Sequence, residues 1–88
     1  MASYKLEFRP SIHKDLRVFS NAQAVRVLEK IDELKINPFP SGVAKLAASE
    51  NLYRIRIGDY RIVYSVDSKL RYILVHYIRH RKEVYRKS

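Results

Sequence analysis

Arg54, Arg56 and Arg61 fall within eight positions of the stretch YRIRIGDYRIVYSV (53–66), and the alternating runs that carry them contain no carboxylate. A guanidinium is planar, stays protonated and presents a fork of N–H donors that fits phosphate oxygens. Such a cluster can hold a phosphate and stabilise negative charge that builds up on it. A second group follows in RHRKEVYR (79–86), where Arg79, His80, Arg81, Lys82 and Arg86 surround Tyr85. Cations interleaved with an aromatic ring make a surface that grips phosphates and stacks bases. Lys45 supplies a further cation ahead of the first group. The plainer alternatives are a solvated basic strand face and a frayed basic tail; the clustering without carboxylates, and the placement of Tyr85, favour a surface that holds phosphates and bases.

Other chemistries find little support. The chain has no cysteine, which excludes disulfides, thiolate metal sites and a catalytic thiol. His76 and His80 are four residues apart in an expected strand, about 13 Å at about 3.3 Å per residue, too far to share a metal. His13 reads as a helix-surface residue. No metal site and no cofactor is therefore expected. Serine-hydrolase signatures and Gly-rich phosphate loops are absent. A two-histidine ribonuclease centre is not evident either, although His80 alone can carry one proton.

The elements that must position these residues can be traced from periodicity. Tyr4-Lys5-Leu6-Glu7-Phe8 alternates with period two, as a half-buried strand does. Pro10 starts a helix whose stripe Ile12, Leu16, Phe19 ends near Ser20. Ser20 and Gln23 have capping-box spacing and open a second helix with Ala24, Val27, Leu28, Ile31 and Leu34 on one face; Asn37-Pro38 stops it. Two helices joined so closely make an antiparallel hairpin that needs a sheet to pack on. Pro38 to Asn51 reads as loop, with Val43 to Ala48 a turn or short strand end.

Gly58-Asp59 then suits a type II′ hairpin turn. Counting outward pairs Ile57 with Tyr60, Ile55 with Ile62 and Tyr53 with Tyr64 on one face, and Arg56 with Arg61 on the other. Leu70 to Ile78 is almost wholly apolar, as a central strand covered on both faces would be, with Asp67-Ser68-Lys69 as its turn. Residues 79–88 read as a strand end followed by a short helix or tail. The expected class is α+β: an N-terminal strand, a two-helix hairpin, then a three-strand antiparallel meander forming one sheet.

Eighty-eight residues with 47% hydrophobic and 31% charged side chains fit one folded domain over 1–88. No apolar run reaches the 18 or so residues needed to span a bilayer, and MASYKLEFRP lacks the core of a signal peptide, so a cytoplasmic location is expected. The formal charge of +9 is uneven: residues 1–44 carry 7 basic and 5 acidic side chains, residues 45–88 carry 11 and 4. The second half thus presents the anion-facing surface. Its basic residues alternate on strands and do not oppose a broad apolar helix face, which argues against a membrane surface.

The two motifs YRIRIGDYRIVYSV and HRKEVYR, with this order of elements over nearly the whole chain, resemble the RelE family of the RelE/ParE toxin superfamily. The resemblance implies the toxin of a type II toxin–antitoxin pair, a metal-independent endoribonuclease that cleaves mRNA in the A site of the 70S ribosome. By position it assigns catalysis to Arg54, Arg56, Arg61, Arg79, Arg81 and Tyr85, and leaves Lys45, His80, Lys82 and Arg86 to RNA binding. It also implies an acidic antitoxin partner, with promoter DNA bound only through the toxin–antitoxin complex.

Some members of the family have lysines where this chain has Arg54 and Arg56. Arginine is a poor general base, so the search moves to Tyr85, His80 or Glu83. Tyr85 can stack on a base or, with its proton loosened by nearby cations, activate the 2′-hydroxyl. Two other readings stand beside this one: a ParE-like toxin that inhibits DNA gyrase without cutting, and a non-toxic basic RNA- or DNA-binding module.

Overall fold

A computed structural model of the chain describes residues 3–17, 19–46 and 51–80. Five strands, β1 (Lys5–Phe8), β2 (Ala44–Lys45), β3 (Leu52–Ile57), β4 (Tyr60–Asp67) and β5 (Tyr72–His80), form one sheet in the order β1-β5-β4-β3-β2. Two helices, α1 (Ile12–Leu16) and α2 (Asn21–Asp32), lie between β1 and β2 in the chain. The α+β class is as the sequence implies. The closing step is a parallel pairing of β1 with β5, Lys5 opposite Tyr72 and Phe8 opposite Val75. Alternation within either segment carries no trace of it.

Side chains from both helices and one sheet face make the core: Ile12, Phe19, Val27, Ile31 and Leu34 pack with Ile62, Tyr64, Val66, Ile73, Val75 and Ile78. Val27, Ile31 and Leu34 recur at i, i+4 and i+7, so α2 and the 3-10 turn after it, Glu33–Lys35, bury one stripe. Full burial of each aliphatic side chain contributes about 1.5–3 kcal/mol. The one polar atom this core must accommodate is the Tyr64 hydroxyl, which donates to the Pro38 carbonyl at 2.7 Å and so ties the loop after α2 to the middle of β4. Burial pushes the pKa of that hydroxyl up to about 12, with Tyr53 adding to the effect.

Local signals explain most boundaries. Ser20 Oγ accepts from the Gln23 N–H at 3.2 Å and Gln23 Oε1 accepts from the Ser20 N–H at 3.1 Å, the reciprocal pair that opens α2. Gly58 sits at φ 60, and Asp59 keeps an ordinary negative φ, as a type II′ turn requires. The β3–β4 register follows residue for residue: Ile57 with Tyr60, Arg56 with Arg61, Ile55 with Ile62, Tyr53 with Tyr64.

Three expectations need correction. The first helix does not run from Pro10 to Ser20. It spans Ile12–Leu16, because the chain must turn before Ser20 can cap α2, and Phe19 is buried from beyond the helix end against Tyr60, ring centroids 4.1 Å apart. The last strand starts at Tyr72, not Leu70. Asp67 Oδ1 accepts from the N–H groups of Lys69 and Leu70, both at 3.0 Å, Arg71 takes φ 52, and Leu70 is left 74% exposed in a wide turn.

β5 is central in the sheet, yet among the described residues its second face is only partly covered, with Tyr77 37% exposed. Its apolar run looks continuous because a bulge shifts the alternation: Tyr64 pairs with Val75 but Val63 with Tyr77, so His76 is the extra residue and both Val75 and Ile78 reach the core. The short strand end expected in 43–48 is present as β2, a two-residue pairing of Ala44 with Arg54 and Lys45 with Tyr53.

Candidate functional site: the open face of the sheet

With Ile55, Ile57, Tyr60 and Ile62 turned to the helices, the alternate residues of β3, β4 and β5 must point the other way. Arg56 lies opposite Arg61, and Arg61 opposite Arg79, so three arginines occupy one row of register positions across three adjacent strands. At about 4.8 Å between strands the row is about 10 Å wide, the scale of a phosphodiester with its neighbours. One step along the strands lies a second row, Arg54, Val63 and Tyr77. Among the described residues, Arg54, Arg56 and Arg61 have no ion pair and no hydrogen bond to their side chains. Like charges directly opposite in a sheet repel, and an anion held between them would relieve that repulsion.

Arg79 is held differently. Its Nη1 donates to Asp15 Oδ1 at 2.7 Å and to the Ile78 carbonyl at 3.2 Å, and its guanidinium carbon lies 4.7 Å from the centre of the Tyr77 ring. Beyond the arginines, His76 bridges two partners on the same face. Its Nδ1 is 3.3 Å from Arg9 Nη1 and its Nε2 is 3.1 Å from Ser65 Oγ. Arginine can only donate, so Nδ1 accepts and Nε2 carries the proton toward Ser65. Desolvation by its surroundings, with the nearby Arg9 charge, lowers the pKa of His76 below its usual value. That tautomer cannot take a proton from Ser65, so the pair is not a nucleophile and base.

Of the residues singled out in the sequence, Arg54, Arg56, Arg61 and Arg79 come together on this face. Two do not join them. His80 is in register with Tyr60 and their rings lie 5.0 Å apart, on the side of the sheet that bears the helices. Lys45 is in register with Tyr53, whereas Ala44 pairs with Arg54, so it also turns from the arginine row. Arg81, Lys82, Tyr85 and Arg86 lie outside the described residues.

Two contributors were not foreseen. Tyr77 was hidden by the apolar appearance of 70–78, although counting back two from Arg79 places it on the open face. Asp15 comes from a helix 64 residues away in the chain and carries no local signal. Among the described residues no group of three or more His, Cys, Asp or Glu side chains could hold a metal ion, and no helix is long and apolar enough to cross a membrane.

A second concavity lies on the helix side, a cleft of about 580 Å³ between α2 and the β3–β4 hairpin. Val27, Leu34, Ile55 and Ile57 give it an apolar floor, and Arg26, Lys30 and Arg56 share its wall with Glu33 and Asp59.

Comparison with known proteins places this architecture. The sequence model described as the ParE toxin of type II toxin–antitoxin system, parDE, matches residues 6–85. The chain is 30% identical over 86 residues to RelE1 of Methanocaldococcus jannaschii, covering 94% of this chain and 96% of that one. In structure it is similar to a chain of the archaeal RelE-RelB complex from Pyrococcus horikoshii, with TM-score 0.79, 33% identity, and 90% and 96% of the two chains covered. It is also similar to a chain of the RelB-RelE antitoxin-toxin complex from Methanococcus jannaschii, with TM-score 0.73, 26% identity, and 92% and 96% covered. The class that fold and kinship define is the toxin half of a type II toxin–antitoxin system. Within it, the chain belongs to the RelE family of the RelE/ParE toxin superfamily.

Proposed function

We propose that this toxin is a ribosome-dependent mRNA endoribonuclease that works without a metal. What carries the reading is the row Arg56, Arg61 and Arg79, flanked by Arg54, on an open sheet face with three of its four cations unpartnered among the described residues. In the reaction a ribose 2′-oxygen attacks the adjacent phosphorus, the bond to the 5′-oxygen breaks, and a 2′,3′-cyclic phosphate and a 5′-hydroxyl result. The phosphorane-like transition state carries extra negative charge on its equatorial oxygens. Guanidinium groups fixed in advance stabilise that charge more than the ground state, which is the condition for catalysis. Tyr77 offers a ring on which a neighbouring base can stack.

Arginines do not accept the 2′-proton, so the base is sought in Tyr85 or Glu83, with His80 set back by its place on the other face. Arg81 joins the phosphate-binding set by its position in the sequence, and Lys82 and Arg86 extend it. The ribosome would supply the alignment of the mRNA, so little cleavage of free RNA is expected.

The partner we infer is an acidic antitoxin. Relatives of this fold are found as RelE–RelB complexes. The α2 cleft, with its apolar floor and a wall of mixed charge, suits an amphipathic segment, and the +9 charge would speed capture of an acidic one. Promoter DNA is expected to be bound only by the toxin–antitoxin complex.

The ParE name of the matching family model supports a second reading, a toxin that inhibits DNA gyrase without cutting RNA. Cleavage on programmed 70S ribosomes, mapped by primer extension, separates the two. The nuclease should cut within the A-site codon, and Arg61→Ala should slow it by about a hundredfold or more without lowering Tm, because the middle of three like charges is removed. A folded protein that arrests growth and cuts nothing would leave the gyrase reading in possession.

A further inference from the structure

Asp15 takes no proton and holds no phosphate in the reaction above, yet its side chain is only 13% exposed, near the end of a short helix. Beyond Val75, β1 no longer pairs with β5, and the Ile78 N–H on that edge would be left without a partner. Asp15 Oδ2 accepts it at 3.0 Å. This bond fixes the plane of the carboxylate, and the other oxygen, Oδ1, is thereby aimed at Nη1 of the next residue, Arg79, at 2.7 Å. The second Nη1 proton goes to the Ile78 carbonyl, and the Tyr77 ring lies 4.7 Å from the guanidinium carbon.

The guanidinium is thus held by one nitrogen and one face. What remains is its Nε–Nη2 edge, whose protons have no partner among the described residues. That edge is one of the two-donor forks that bind a phosphate side-on. Resting on the nuclease reading above, we propose that Asp15 is a positioning residue: it locks Nη1 of Arg79 so that the Nε–Nη2 fork faces an RNA phosphate beside Arg61. Its charge has a second effect. Arg79 stands opposite Arg61 in the sheet, and a carboxylate on its far side offsets the repulsion that would swing Arg79 out of the row.

The test is single-turnover cleavage on programmed ribosomes by the full chain and by Asp15→Asn, Asp15→Glu, Arg79→Ala and the Asp15→Asn/Arg79→Ala double variant. Asp15→Asn should lower the cleavage rate constant by about ten- to a hundredfold, the cost of a misplaced catalytic group. The toxin concentration at half-maximal rate should move less than about threefold. In the Arg79→Ala background Asp15→Asn should cost nothing further, since a residue that acts through Arg79 has nothing left to position. Asp15→Glu keeps the charge and moves the carboxylate one methylene outward, so it too should be slow; a folded Glu variant at wild-type rate overturns the inference. So does an additive double variant.

Nitrogen-15 NMR of the arginine side chains gives a readout that needs no cleavage. In the wild type the Nη1 protons of Arg79 should be resolved and slow to rotate, and in Asp15→Asn averaged. If the wild type cuts nothing, the nuclease reading falls, and these spectra alone decide whether Asp15 positions Arg79. Freely rotating Nη protons in the wild type would overturn it.

Discussion

A single imidazole shows how this surface stores information. His76 accepts from Arg9 and donates to Ser65 only while it is neutral, and both desolvation and Arg9 oppose its protonation. The folded state therefore holds the ring neutral below the pH at which the unfolded chain, with an ordinary pKa of about 6.5, takes up a proton. Between that value and the lower folded value the unfolded state binds more protons, so stability is lost as the pH falls through this window and levels off beneath it. Thermal melts between pH 5 and 8 should show a declining acidic limb that His76→Gln flattens. An unchanged limb would mean that the Arg9–His76–Ser65 bridge is not kept in solution.

At the scale of elements, the capping box is the local device with the plainest cost. Ser20→Ala removes one of two reciprocal bonds at the start of α2, and should destabilise the protein by about 1 kcal/mol in chemical denaturation, with the cleavage rate unchanged. Signals of this kind, confined to a few neighbouring residues, are what made the fold legible. Ser20 with Gln23, Gly58 with Asp59 and the alternation around Arg56 and Arg61 each sit within one turn or hairpin, and each led to the observed geometry. What was not legible is carried between distant segments. The parallel pairing of β1 with β5, the bulge at His76 and the pairing of Asp15 with Arg79 depend on which strand lies beside which. A bulge also disguises itself, since it lets Val75 and Ile78 face the same core while breaking the period that would reveal Tyr77. The site was legible to the same extent. Arg54, Arg56 and Arg61 follow from alternation and Arg79 from the family resemblance, whereas His80 and Lys45 share their composition and not their face.

For the whole molecule the governing quantity is the charge gathered on the open face. If Arg54, Arg56, Arg61 and Arg79 each neutralise one phosphate, the single-strand slope of about −0.7 per contact means that a fourfold rise in salt weakens RNA binding about fiftyfold. Fluorescence anisotropy with a labelled oligoribonucleotide across a salt series measures the slope directly. Replacing Arg56 and Arg61 by alanine should remove about half of it, and a slope unchanged by that double substitution would move the RNA contact elsewhere.

The position of β5 between β1 and β4 has a consequence for biosynthesis. β1 is made early and pairs with a strand synthesised some 67 residues later, Lys5 with Tyr72, and α1 waits for Ile78 and Arg79 before Asp15 has anything to hold. Until β5 emerges, β1 has no strand to lie against and the helices can pack only on the β3–β4 part of the core, without Ile73, Val75 and Ile78, so completion of the fold waits on a long loop closure. The arginine row is complete only when that last gap in the sheet is filled. A nascent chain therefore lacks the complete row for most of its synthesis, and the interval before closure, when Ile73, Val75 and Ile78 are still missing from the core, is when an antitoxin made alongside it meets more apolar surface than the finished fold exposes.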